Sequence, residues 1–98
     1  MMNFTLEFDG PSGTLIASDE HDAILGYMVL IDVHGEGWIV EHTVVEEHGQ
    51  GKGTGKALLS ELQRECSDRN LYIVPLCPFV FGQFSKYPEK ADGRAIRG

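Results

Sequence analysis

The stretch Gln50-Gly51-Lys52-Gly53-Thr54-Gly55-Lys56 constrains this chain more than any other. Before it, Trp38 to Val45 alternates as a strand does, and after it Ala57 to Arg69 has helical spacing. Glycines at 49, 51, 53 and 55 cost conformational entropy on folding, so a turn built this way needs a reason. A glycine-rich turn at a helix start supplies one. It gathers backbone N–H groups at the positive end of the helix dipole, which is an anion site.

The flanks fill in the fold. Asn3 to Phe8 alternates, with Phe4, Leu6 and Phe8 on one face, and reads as a half-buried strand. Asp9-Gly10-Pro11-Ser12-Gly13 is turn chemistry, and Thr14 to Ala17 completes a first hairpin. Ala23 to Val33 is almost continuously apolar, which predicts a strand covered on both faces. Gly26 within it predicts a bulge or a close backbone approach. His34-Gly35-Glu36-Gly37 is a hairpin turn. In Trp38–Val45, residues Trp38, Val40, His42 and Val44 are expected on one face, and Ile39, Glu41, Thr43 and Val45 on the other.

Leu58, Leu59, Leu62 and Cys66 form the core stripe of the helix, and Asn70 stops it. Leu71 to Pro75 is a short strand. Pro78 suits the first turn of a second helix, with Phe79, Val80, Phe84 and Tyr87 as its apolar face. Glu89 to Gly98 is polar and reads as a loose tail on a single domain spanning 1–98. Strand, glycine turn, helix, strand makes a β-α-β unit with parallel, neighbouring strands and a right-handed crossover.

Composition matters for what it excludes. A net charge of −7 argues against a general nucleic-acid binder, because neutralising phosphates takes clustered Lys and Arg. A small anionic ligand is not excluded, since Lys52 and Lys56 lie in the turn itself. Two cysteines are too few for a disulfide framework, and His and Cys are scattered without metal-ligand spacing. Neither a signal peptide nor a membrane span of about 20 apolar residues is visible, so a cytoplasmic setting is expected.

The turn fails two nucleotide motifs. A P-loop requires glycine where Gln50 stands, and a Ser or Thr where Ala57 stands. The dinucleotide fingerprint fails from Gly51, whose sixth position is Lys56, and from Gly49, whose sixth position is Thr54. The pattern Gln50-x-x-Gly53-x-Gly55 resembles the pyrophosphate turn of GNAT acyltransferases. Glu41-His42-Thr43 before it and Pro75-Leu76-Cys77-Pro78-Phe79 after it extend that resemblance over roughly Asn3 to Tyr87, to short single-domain predicted N-acetyltransferases.

The resemblance implies a minimal GNAT fold of the α+β (α/β) class. Its sheet is mixed and mostly antiparallel, with a β-bulge strand before the turn, a β-α-β acyl-CoA-binding unit and a C-terminal helix. It implies acetyl-CoA or coenzyme A as cosubstrate, without a metal. Backbone groups of Gln50, Gly51, Lys52, Gly53, Thr54, Gly55 and Lys56 would hold the pyrophosphate, and Val44 and Val45 the pantetheine arm. Helices usually found after the first strand in this family, and its substrate-shaping C-terminal strands, are absent from the sequence.

Cys77 and His42 are the candidate catalytic residues. Cys77 lies between two prolines just before a helix, where the dipole favours negative charge; it is a candidate acyl acceptor or general acid. A small buried hydrophobe is the alternative reading of Cys77, and the expected role of Cys66. His42 is a candidate base, with Glu41 the competing carboxylate, against the ordinary role of a hydrogen-bonded core histidine. The expected activity is acetyl transfer to an amine on a small molecule or a protein, by a monomer or weak homodimer without nucleic-acid or membrane partners. The alternatives are a CoA-binding sensor or interaction module without turnover, and a purely structural domain.

Overall fold

A computed structural model describes residues 1–95. Five strands form one sheet in sequence order: β1 (Asn3–Asp9), β2 (Ser12–Ser18), β3 (Ile24–Val33), β4 (Gly37–Val45) and β5 (Tyr72–Pro75). The first four pair antiparallel; β5 joins β4 in parallel. Helix α1 (Thr54–Arg69) makes the crossover between β4 and β5, and α2 (Pro78–Lys86) follows β5. The sheet is thus mixed and mostly antiparallel with a β-α-β unit, as the resemblance implies.

Both helices lie on one face of the sheet. Leu58, Leu59, Leu62 and Cys66 of α1, with Val80 and Phe84 of α2, share a single core with Leu15, Ala17, Met28, Leu30, Trp38, Val40 and Ile73 of the strands. Asn70 ends α1 in the left-handed region (φ 55°), its N–H donating to the carbonyls of Cys66 and Ser67.

Four expectations change. The apolar run of β3 predicts cover on both faces, but only Met28, Leu30 and their neighbours on one face are buried; Tyr27, Val29 and Ile31 on the other are half-buried. Helix α1 starts three residues before Ala57, because Gly53 in the left-handed region (φ 72°) turns the chain and Thr54 onward is already helical. The residues expected to be a loose tail are docked as far as Ala95. Pro88–Ala91 makes a short 3-10 turn, Ala91 is buried, and the Ile73 N–H donates to the Arg94 carbonyl at 2.9 Å. Ala95 then bridges β5 in parallel, so a free edge of that strand is satisfied by this segment. The remaining three tail residues lie outside the described residues.

The fourth change concerns β4 and decides the site. Val40 pairs with Leu30, but His42 pairs with Val29, so Glu41 is an extra residue in the ladder. A bulge of one residue reverses the side-chain phase beyond it. Trp38 and Val40 face the core; after Glu41 it is Thr43, paired with Met28, that faces that way, while His42 and Val44 turn to the opposite face.

Candidate functional site

The bulge separates two unlike halves of β4. From Gly37 to Val40 the strand is paired on both sides, with β3 and with Tyr72–Pro75 of β5. The Cys77 N–H donates to the Val40 carbonyl at 2.8 Å and closes that pairing. Beyond Val40 the two strands part, since Pro78 starts α2 while β4 runs on to Val45. The edge of β4 that turns away from β3 over Glu41–Val45 has no strand partner among the described residues. Val44 and Val45 lie on this stretch.

The glycine turn opens directly from it. Glu47–Gly49 form a 3-10 turn anchored by the Glu46 N–H to the Leu25 carbonyl. Gly49 is buried, and a Cβ there would meet the Leu25 carbonyl oxygen at 2.1 Å, so only glycine fits. The Thr54 hydroxyl donates to the Gly49 carbonyl at 2.7 Å and ties the helix start to the turn. Its methyl lies 3.0 Å from where a Cβ of Gly26 would be, and the Val44 carbonyl 2.7 Å from it, which accounts for that glycine in β3. The adjacent register shift, between Ala17 and Ser18, leaves Leu25 as the extra residue of β3.

Gly51 (φ 75°) and Gly53 (φ 72°) hold left-handed conformations with open space around them. Any L side chain is strained there. The first backbone hydrogen bond of α1 is from the Ala57 N–H to the Gly53 carbonyl, and no side chain caps this end among the described residues. The N–H groups of Thr54, Gly55 and Lys56 are therefore left without intrahelical acceptors at the positive end of a 16-residue helix. Lys52 and Lys56 are exposed beside them. Gly55 has a second reason to be small: a Cβ there would meet the Phe79 ring at 3.1 Å, so the turn packs on α2.

The two candidate catalytic side chains are not brought together. Cys77 is the N-cap residue of α2, 2% exposed, and its Sγ–H donates to Thr43 Oγ1 at 3.2 Å. His42 is exposed on the opposite face of the sheet. The partner of Cys77 is thus Thr43, which the strand pattern had assigned to the other face. The available signal was the charged Glu41 interrupting an apolar strand, which marks a break in phase. Cys66 differs from Cys77 in its surroundings. It is fully buried on the core stripe of α1, and burial pushes its thiol up to about 12. Both thiols are free. Among the described residues no cluster of His, Cys, Asp or Glu could hold a metal ion, and no helix is long and apolar enough to cross a membrane.

A family profile described as GCN5-related N-acetyl-transferase matches residues 14–93, which span the sheet from β2, the turn and both helices. The chain belongs to the GNAT family. Solved structures share the fold. A GNAT family acetyltransferase from Elizabethkingia anophelis with acetyl-CoA bound is similar at TM-score 0.64 and 16% identity, over 90% of this chain and 73% of that one. The ribosomal-protein-alanine N-acetyltransferase of Brucella melitensis biovar Abortus 2308 is similar at TM-score 0.59 and 24% identity, over 66% of this chain. A GNAT acetyltransferase from Staphylococcus aureus Mu50 is similar at TM-score 0.54 and 18% identity, over 82% of this chain. The similarity spans about half of the Brucella and Staphylococcus chains, 47% and 52%. Comparison with curated protein sequences finds no match.

Proposed function

We propose that this GNAT domain binds acetyl-CoA and transfers its acetyl group to an amine. One observation carries the reading. The uncapped start of α1, with Gly51 and Gly53 turned into the left-handed region, opens directly from the half of β4 that β5 leaves unpaired. A pyrophosphate would take the N–H groups of the turn and of Thr54, Gly55 and Lys56, with Lys52 and Lys56 adding charge. A pantetheine arm carries amides, and the free edge of β4 beside Val44 and Val45 would complete their hydrogen bonding as a strand would. The acetyl-CoA bound by the Elizabethkingia relative supports this choice of ligand.

In this arrangement the amine nitrogen attacks the thioester carbonyl carbon, the C–S bond breaks, and the sulfur leaves with the electron pair. Cys77 would give its Sγ proton to that departing thiolate. His42 would take the proton lost by the amine, from the outer face of the sheet. In the covalent variant, the Cys77 thiolate attacks the thioester carbonyl, the C–S bond to CoA breaks and CoA leaves with the proton Cys77 lost; the amine then attacks the acetyl-cysteine and Cys77 leaves as its thiol, taking the amine's proton. Free thiols at 66 and 77 suit a reducing, cytoplasmic setting.

The second reading is a CoA-binding module without turnover. It is favoured by the separation of Cys77 and His42 and by the burial of Cys77. Intact-mass measurement after incubation with acetyl-CoA and an amine panel separates the two. Acetylated amine, with or without an acetyl adduct lost in Cys77→Ala, supports transfer. Binding without acetylated product or CoA release leaves the module.

A further inference from the structure

The bare face of the sheet carries an apolar patch centred on β3, with the polar Thr5, Glu7 and Thr14 of β1 and β2 beside it. Ile16, Tyr27, Val29, Ile31, Ile39 and Val74 share it by strand register, while both helices pack on the other side. An antiparallel sheet with one face in water normally alternates apolar with polar residues, but here neither set of β3 is polar. A contiguous apolar surface of this kind marks an interaction site on a soluble domain. It also continues into the candidate acyl site, since His42 and Val44 lie on this same face, along the unpaired half of β4.

Charge says what covers it. All eight Lys and Arg lie at or beyond Lys52, whereas ten of the fifteen Asp and Glu precede it. No strand contains a Lys or Arg. Among the described residues, every ion pair made by an Arg or Lys lies within α1, so the acids of β1 to β4 have no such partner. Glu7 and Asp9 flank the bare face along β1, and Glu41 stands at the bulge beside His42. A second copy of the chain would bring these acidic margins against each other. A basic partner would not.

We infer that the bare face docks a basic polypeptide segment carrying apolar side chains, and that a lysine or terminal amine of this segment is the acetyl acceptor. The acceptor role rests on the transfer reading above; the docking does not. Extended peptides suit such a surface, with apolar residues on the sheet and Lys or Arg reaching the acidic margins.

The test uses the full chain labelled with nitrogen-15 and three probes: a peptide alternating Lys and Val, its Glu and Val counterpart, and spermidine. The Lys peptide should shift amides of β2, β3 and β4, weaken with salt, and bind at least about tenfold more tightly than either control. Val29→Lys should weaken it by about tenfold or more. Thr14→Lys, at a partly exposed polar position of the same face, should weaken it less and serves if Val29→Lys does not fold. Equal binding of the Glu peptide or spermidine overturns the proposal, as do shifts confined to α1 and α2. A dimer at tens of micromolar that Val29→Lys makes monomeric also overturns it, because a second copy is then the occupant. Adding acetyl-CoA completes the test: an acetylated Lys peptide supports the acceptor role. Docking without acetylation upholds the surface and overturns that role.

Discussion

The two halves of β4 lie on one continuous strand and have different fates. Gly37–Val40 is bound on both edges and packs Trp38 and Val40 into the core. Glu41–Val45 keeps β3, loses β5, and turns its side chains by one phase. The first half is structural, and the second leads to the glycine turn. One inserted residue makes the change of phase, and the end of β5 at Pro75 the loss of a partner. The insertion also chooses which side chain meets Cys77, Thr43 instead of His42. A local feature of pairing, not residue type, decides the chemistry of this strand.

Removing the bulge should have the largest effect. Deletion of Glu41 forces either the core half or the site half onto the wrong face, and should cost about 4 kcal/mol or more in urea unfolding. Unchanged stability would mean that the bulge does not set the phase. Gly49→Ala comes next. Its methyl has no room against the Leu25 carbonyl, and backbone cannot move aside cheaply, so a loss of about 1–3 kcal/mol is expected.

The two halves can also be compared directly. Val40→Ala empties a fully buried site and should cost about 2 kcal/mol. Val44→Ala lies on the half-buried outer face and should cost under about 0.5 kcal/mol. Equal costs would erase the distinction between the halves.

The last effect is an alkaline one at Cys66. Its thiol ordinarily titrates near 9.0 and burial raises it to about 12. A raised pKa in the folded state contributes stability that is full below the unfolded value and is lost as pH rises through the folded one. Stability should therefore fall between about pH 9 and 12, and Cys66→Ala should remove that part of the slope. An identical slope in the variant would place the loss elsewhere.

Strand and helix positions were legible because apolar period and glycine placement report local geometry directly. The core stripe Leu58, Leu59, Leu62 and Cys66 follows from helical spacing alone. The facing of His42 and Thr43 was not legible from alternation, since a period of two carries no record of an inserted residue. The tail misled for a related reason. Its docking uses backbone groups of Arg94 and Ala95, the polar side chains of Lys90 and Arg94, and the small Ala91, none of which leaves an apolar pattern. In β3 the two-sided apolar run was real, yet this chain covers one side only.

In the proposed function the turn after the unpaired half of β4 holds the pyrophosphate of an acyl-CoA. Titration calorimetry with acetyl-CoA tests it most directly. The wild-type chain should bind with a dissociation constant in the micromolar range, about −8 kcal/mol. Gly53→Asp, which sets a carboxylate at the anion position, should abolish the heat. No heat from the wild type at high micromolar ligand, or undiminished affinity in Gly53→Asp, would contradict the assignment.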